Sequence, residues 1–219
     1  MPATSSPVLT IGHSTHSAAA FIDLLQSHGV TALADVRAAP YSRFNPQFNR
    51  ETLAGSLDAH GIAYVFLGRE LGGRSEDPAV YDEGRISYER LGRTRSFREG
   101  LDRVAKGATG YRIALMCAER EPLECHRCLL VAPALETQGI SVNHIRSDGG
   151  LEPHRDAMRR LLAMHGLQDS IEDQPLFSRS LAERVAEAIS WQARRFAYRN
   201  EMRANDFTPA GPRVSEVRS

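Results

Sequence analysis

This chain of 219 residues is poor in lysine, in cysteine and in net charge. Its 27 basic and 27 acidic side chains cancel to a formal charge of zero, so no global field draws it to nucleic acid or to an acidic partner, and any anion binding must be local. Three cysteines at uneven spacing exclude a disulfide framework and fit a reducing compartment. No apolar stretch approaches the roughly 18 residues of a membrane span, and the opening MPATSSP lacks the basic segment and apolar run of a signal peptide. A cytoplasmic protein without membrane association is the expectation. There is no Walker loop, dinucleotide fingerprint or zincin motif, and Gly12-His13-Ser14-Thr15-His16 misses the hydrolase elbow because its last position is histidine. No cofactor and no metal ligand set is called for on these grounds.

What is present is an alternation of apolar runs and amphipathic stretches in a chain that is 42% hydrophobic, enough to bury a substantial core. Val8 to Ile11, Val30 to Val36, Ile62 to Leu67, Ile113 to Met116 and Ile140 to Ile145 read as strands. Between them lie helices begun by Ser17 and Asn49, a helix from about Thr94 to Lys106 and another from about Cys125 to Gln138. Gly29 and Gly61 close the first two. Strands separated by helices imply an α/β fold, with an open, mostly parallel sheet and helices on both faces. The stretch from Gly68 to about Arg93 shows no period and reads as a long loop, of the kind that often carries a lid or binding function.

The division expected is an α/β domain over 1–150 and a helical C-terminal extension over 151–219 ending in a disordered tail. In that extension Leu181, Val185, Ile189 and Phe196 form one apolar stripe. The stripe needs a surface to cover it, and a homodimer through this helix is the expected solution.

Chemistry concentrates in Tyr111 to Cys128, YRIALMCAEREPLECHRC. An apolar strand there releases Cys117, Glu119, Arg120, Cys125, His126 and Arg127 within eleven residues. Loops that leave the carboxyl ends of strands in such sheets hold the reacting groups, because side chains converge there over a crevice. Other strand ends bring His13, Ser14 and His16, then Asp35, Arg37 and Arg43, and finally His144, to the same edge.

Four ordered motifs, TIGHSTHS, LADVRAAPYSRFNPQF, GIAYVFLGRELGGR and ALMCAEREPLECHR, followed by VNHI, make residues 9 to 145 resemble the bacterial and archaeal family called domain of unknown function 488. The resemblance implies a single α/β domain with a parallel sheet. It implies no settled activity, although some members carry a DNA-repair label.

Several chemistries suit these residues. A thiolate at Cys117 or Cys125, activated by His126 or a neighbouring arginine, is one. A parallel with rhodanese-like and cysteine-phosphatase domains is weak, since the position six after Cys117 is Leu123 rather than arginine. His13-x-x-His16 and Cys125-x-x-Cys128 have ligand-like spacings, but Cys128 reads better as a core residue. Anion binding by His13, Ser14, Thr15, Arg37, Arg43, Arg74 and Arg127 is a third, with Arg127 in the first turn of a helix. Asp35, Arg37, Arg43 and Glu119 fit an internal ion-pair network equally well. Tyr41, Phe44 and Phe48 interleave with Arg43 and Arg50 as a base-stacking loop would, or as aromatics that close the core.

The expectation carried forward is an enzyme with Cys117, Cys125, His126, Asp35 and Glu119 as catalytic groups, acting on a phosphate-bearing small molecule or nucleic acid. The alternative is a non-catalytic nucleic-acid or protein-binding module that uses the same crevice.

Overall fold

The computed structural model describes residues 6–168 and 179–200. Six strands form one sheet: β1 (Val8–Gly12), β2 (Ala32–Asp35), β3 (Ala63–Phe66), β6 (Ile113–Cys117), β7 (Val142–Ile145) and β8 (Leu151–Pro153). Their spatial order is β3-β2-β6-β1-β7-β8. All neighbours pair in parallel except β7 with β8. Helices cover both faces, as the alternating pattern predicts.

Side-chain alternation sorts the core into two layers. In β6, Ala114 and Met116 join the layer that holds α1 (Ala18–Ser27) and α2 (Arg50–Asp58), through Phe21, Ile22, Leu25, Leu53 and Leu57. Ile113, Leu115 and Cys117 face the opposite layer, with Phe97, Leu101 and Val104 of α5 (Arg95–Gly107). Period two along a strand makes this division, and each fully buried large apolar side chain contributes about 1.5–3 kcal/mol. The same parity turns Cys117 away from α1 and towards the site. Caps fix where the helices begin. Ser17 Oγ accepts from the Ala20 N–H at 3.2 Å and Thr94 Oγ1 from the Phe97 N–H at 3.2 Å, each worth about 1 kcal/mol.

The chain runs outward from β1 to β2 to β3 along one face and returns through β6 to β7 along the other. β6 lies between β2 and β1, whose connections leave over the opposite face from its own. Such a reversal opens a crevice at the carboxyl ends of the strands. Cys117, the last residue of β6, stands in it.

Three expectations about local structure change. The stretch from Gly68 to Arg93 is not a featureless loop. It contains α3 (Gly68–Leu71), a hairpin of β4 (Tyr81–Asp82) with β5 (Arg85–Ile86), and α4 (Tyr88–Gly92). Elements of two to five residues are too short for a period to register in sequence. The helix expected from Cys125 to Gln138 is a π-helical turn over Arg127–Val131 that passes into α6 (Ala132–Thr137). Pro133 lies two residues beyond the wide turn, and a proline ring crowds the carbonyl four residues before it, here that of Leu129.

The third change concerns the C-terminal stripe. α8 (Leu181–Phe196) opens with a capping box of Ser180 and Glu183 and lies on its own chain, against α7 (His154–Met164) and the turn at Pro122–Glu124. Val185 and Ile189 pack on the core and Ala188 is fully buried. Gln192, also buried, donates from Nε2 to the Leu123 carbonyl at 2.9 Å, while its Oε1 lies 3.1 Å from His165 Nε2. Thus Val185 and Ile189 of the apolar stripe rest on their own chain, while Leu181 stays 59% exposed. The tail expected at the end of the extension falls outside the described residues. No described helix is long and apolar enough to cross a membrane.

The Gln192 bridge makes a testable claim on local stability. Gln192→Ala leaves the buried Leu123 carbonyl without its donor, at about 1–3 kcal/mol. Hydrogen exchange should quicken across Leu181–Phe196 while the amides of β1 and β6 keep their protection.

Candidate functional site

Two sulfurs, a carboxylate oxygen and an imidazole nitrogen meet at the carboxyl end of β6. Glu119 Oε2 lies 2.7 Å from Cys117 Sγ and 3.2 Å from Cys125 Sγ. His126 Nδ1 lies 3.7 Å from each sulfur. The ligand atoms of all four residues fall within 4.8 Å of one another. Cys117, Cys125 and His126 are buried, whereas Glu119 is exposed and reaches in with its carboxylate.

Local structure delivers each group. Cys117 ends the strand. A 3-10 turn over Pro122–Glu124, capped by the Glu121 carboxylate on the Leu123 N–H at 3.1 Å, brings the chain back so that Cys125 faces Cys117. His126 then begins the π-helical turn. The loop is held from beneath by Arg127, which is completely buried. Its NH1 donates to the Glu119 carbonyl at 2.7 Å and its NH2 to the Arg120 carbonyl at 3.2 Å. Its backbone N–H points at Cys125 Sγ at 3.5 Å. Gly12 must be glycine for this arrangement: a Cβ there would lie 1.9 Å from the Glu119 carbonyl oxygen.

The tautomer of His126 follows from its other nitrogen. Nε2 is 3.1 Å from the Val36 carbonyl, which only accepts, so Nε2 carries the proton and Nδ1 presents a lone pair to the sulfurs. Burial alone would hold both thiols protonated, and it does push Cys117 up. Cys125 moves down, because the Cys117 hydrogen bond, Arg127 and His126 together outweigh its burial. Burial opposes a charged His126, but the neighbouring Cys125 raises it. Glu119 is raised by burial of its carboxylate and then by Cys125. Burial and neighbouring charge thus set the two thiols apart, Cys117 upward and Cys125 downward, with the Arg127 guanidinium beside them.

A cavity of about 260 Å³ opens above the cluster. Cys117, Glu119, Cys125 and His126 form its floor, and Arg37, Arg74, Tyr88, Glu124, Phe196 and Tyr198 are among its other lining residues. The Arg74 guanidinium lies 4.2 Å from the Tyr198 ring centroid and makes no ion pair among the described residues, leaving its donors for an anion. Tyr88 is buried at the wall, and its hydroxyl makes no hydrogen bond within the described residues. Burial, then Cys125 and Cys117, hold that phenol protonated, so it faces the cavity as a donor.

The other residues expected at the site are placed differently. Asp35 and Arg37 form a buried bidentate pair, Nε to Oδ1 at 2.9 Å and NH2 to Oδ2 at 2.6 Å. Tyr64 donates to the same carboxylate at 2.8 Å. His13 lies behind Arg37, stacked on Phe48 with centroids 4.3 Å apart. Ser14, Thr15 and Arg43 do not line the cavity. Ser14 instead uses its backbone N–H on the Ala118 carbonyl at 3.0 Å, with a positive φ of 46°. Arg43 is out on the surface over the Phe44 ring, 4.9 Å from its centroid. A second buried group, Cys128, His144 and His154, forms a chain with Thr10 and lines no part of the cavity.

Tyr88, Phe196 and Tyr198 were not anticipated. Tyr88 sits in the stretch without a period. Phe196 lies on the apolar stripe of α8, and Tyr198 follows the end of that helix. Only folding brings them over Cys117.

The family model described as Domain of unknown function DUF488 matches residues 17–133, and the chain belongs to that family. The matched span contains the whole cluster, Arg74 and Tyr88, but not His13, Phe196 or Tyr198. No curated protein and no solved structure matches this chain.

His13 offers a pH test with a defined sign. Its Nδ1 donates to the Ser14 carbonyl at 2.9 Å and its Nε2 accepts from Arg37 NH1 at 3.3 Å. Protonating Nε2 would set donor against donor, and burial lowers its pKa from 6.5 to about 4. Between those pH values the unfolded chain binds a proton that the folded chain does not. Stability supported by neutral His13 is thus complete above pH 6.5 and is lost as pH falls towards 4. His13→Gln should reduce the acid slope of unfolding free energy by about 1 kcal/mol per pH unit, measured by urea titration at several pH values.

Proposed function

We propose that this member of the family is an enzyme whose reacting centre is the Cys117, Glu119, Cys125 and His126 cluster, acting on a phosphate-bearing substrate held in the cavity above it. The observation that supports this most is the convergence of the four side chains on one point at the floor of an open pocket. A structural cluster has no need of a cavity lined by an arginine without an ion pair and a phenol without a hydrogen bond among the described residues. Strongly shifted groups gathered in a cleft are a mark of reacting sites.

Each group has a role that its surroundings support. The lone pair of His126 Nδ1 faces the sulfurs and holds one of them deprotonated, with the Val36 carbonyl keeping the ring in the right tautomer. Arg127 adds a buried positive charge and an N–H to Cys125, at 3.5 Å. Glu119, at the mouth of the cluster, is placed to move a proton between the centre and the substrate. Arg74 and its Tyr198 platform receive the anion, and Tyr88 donates to an oxygen of the substrate. A volume of about 260 Å³ lies just below the usual range for small-molecule sites, so it admits a small phosphate ester or the end of one nucleotide and excludes a duplex.

One observation favours the alternative of a nucleic-acid-binding module. Phe44 and Tyr41 are 79% and 57% exposed on the loop that leads away from the cavity-lining Arg37, Ala38 and Ala39. Exposed rings next to Arg43 suit stacking on single-stranded bases. If the loop serves that purpose, Phe44→Ala should weaken oligonucleotide binding by about 1–3 kcal/mol, and affinity should fall steeply with added salt. Fluorescence anisotropy at two salt concentrations decides this, and an unchanged affinity removes the loop from the interface.

Catalysis is tested by turnover across phosphomonoesters, nucleotides and single-stranded DNA. His126→Ala should lower kcat by on the order of 10²–10⁴-fold. Arg74→Ala should instead act chiefly on KM, because its contact is made to the bound ground state as well as to the transition state. A protein with no turnover on any of these, yet with measurable affinity lost on the same substitutions, is a binder and not an enzyme.

A further inference from the structure

We infer that Cys117, Glu119, Cys125 and His126 bind one transition-metal ion of the zinc class, with Glu119 as the ligand that can yield its place to substrate. This deepens the function proposed above and rests on the same site, giving the sulfurs the role of ligands in place of nucleophile.

The geometry carries the inference. Zinc bonds of about 2.3 Å to sulfur and about 2.0–2.1 Å to nitrogen give tetrahedral sulfur-to-nitrogen edges of about 3.5–3.6 Å. Both edges here measure 3.7 Å, and all four ligand atoms lie within 4.8 Å of one another. The carboxylate oxygen lies 2.7 and 3.2 Å from the two sulfurs, inside the edge of about 3.5 Å that a bound ion sets, so Glu119, the exposed ligand, withdraws as the ion enters. Three groups that ionise to anions are thus gathered where like charges oppose one another unless a proton or a cation stands among them.

Surrounding groups match what metal-bound residues require. A ligating histidine donates its other ring N–H to a carbonyl or carboxylate, which sets its tautomer. His126 does so to Val36 at 3.1 Å. Ligating sulfur is supported by a backbone N–H, here that of Arg127 at 3.5 Å from Cys125. Charge closes as well. Two thiolates and a carboxylate, set against a dication and the buried Arg127 guanidinium, leave no net charge, which matters because an uncompensated buried ion is costly. Soft sulfur with imidazole selects zinc-like ions over magnesium or calcium.

Exposure argues for a reactive and not a merely structural ion. Cys117, Cys125 and His126 are buried and Glu119 alone is exposed, at the side that opens to the cavity. Three fixed protein ligands with a fourth position towards substrate is the arrangement of catalytic zinc, where the ion serves as a Lewis acid for a carbonyl or phosphoryl oxygen. Arg74 and Tyr88 face that same space.

The test is metal content and metal uptake of the full chain. Purified protein should hold about one zinc equivalent by elemental analysis, and metal-free protein should take up Co²⁺ with thiolate-to-cobalt charge-transfer absorption. Cys125→Ser should lose that band and bind Zn²⁺ at least ~100-fold more weakly, and Cys128→Ser should keep both, since Cys128 lines no part of the cavity. Glu119→Gln, at an exposed position, should weaken Zn²⁺ by about 10–100-fold without loss of the band, and it stays informative if the cysteine variant fails to fold. Wild-type protein that takes up neither Zn²⁺ nor Co²⁺, with Cys117 and Cys125 open to thiol reagents, overturns the inference. If such metal-free protein still turns over substrate, the enzyme proposal survives alone. Metal bound at this site with no turnover on any phosphate-bearing substrate upholds the ion and removes the proposed function.

Discussion

A single buried guanidinium holds the site together. Arg127 is fully enclosed, and its terminal nitrogens are used on the carbonyls of Glu119 and Arg120. These contacts tie the loop that leaves β6 to the turn that starts the next helix, and they set Cys117 opposite Cys125. Enclosing a charge costs several kcal/mol unless hydrogen bonds and opposite charge repay it. The two carbonyls repay part of it, while the buried Nε has no hydrogen-bond partner among the described residues. For that reason the electrostatics of the cluster and the path of the loop are one problem. The close approach at Gly12, where a Cβ would meet the Glu119 carbonyl at 1.9 Å, belongs to it too.

Around this anchor the charged residues divide by whether they are already satisfied. Asp35 and Arg37 neutralise each other, accept Tyr64 and orient His13, which makes them a rigid wall between β2 and the cavity. Arg74 has an aromatic platform and no carboxylate partner among the described residues. An arginine already paired in a dry interior gains little from a phosphate, whereas one stacked at a pocket rim gains the full charge-assisted contact. The C-terminal helix matters for the same reason. It carries Phe196 to the cavity wall and leads directly to Tyr198, so residues beyond the family match help to shape the pocket.

Much of the frame was legible from the residues. Five apolar runs between amphipathic stretches announced the parallel strands, because period and strand length survive in one-dimensional order. Ser17 marked a helix start through the chemistry of its hydroxyl. The convergence of Cys117, Glu119, Cys125 and His126 was foreseeable too, since a strand end followed by a tight return must bring residues eight or nine apart back together. The hairpin of β4 with β5 and the short α4 escaped notice, since they hold too few residues to show a repeat. The surface beneath Val185 and Ile189 is not legible in sequence either, because an apolar face states that it needs cover but not whose.

Sequence by itself determined the sheet, the family, and which residues crowd the end of β6, all of which depend on local order and short spacings. Tertiary structure alone decided which charges are spent and which are free. It paired Asp35 with Arg37, set Arg127 beneath the loop, kept Arg74 and Tyr88 facing the cavity, and brought Tyr198 over a strand end more than 80 residues earlier in the chain. The physical reason is that desolvation and hydrogen bonding act through space: whether a charge is available is a property of its surroundings, and those are assembled only when distant segments pack.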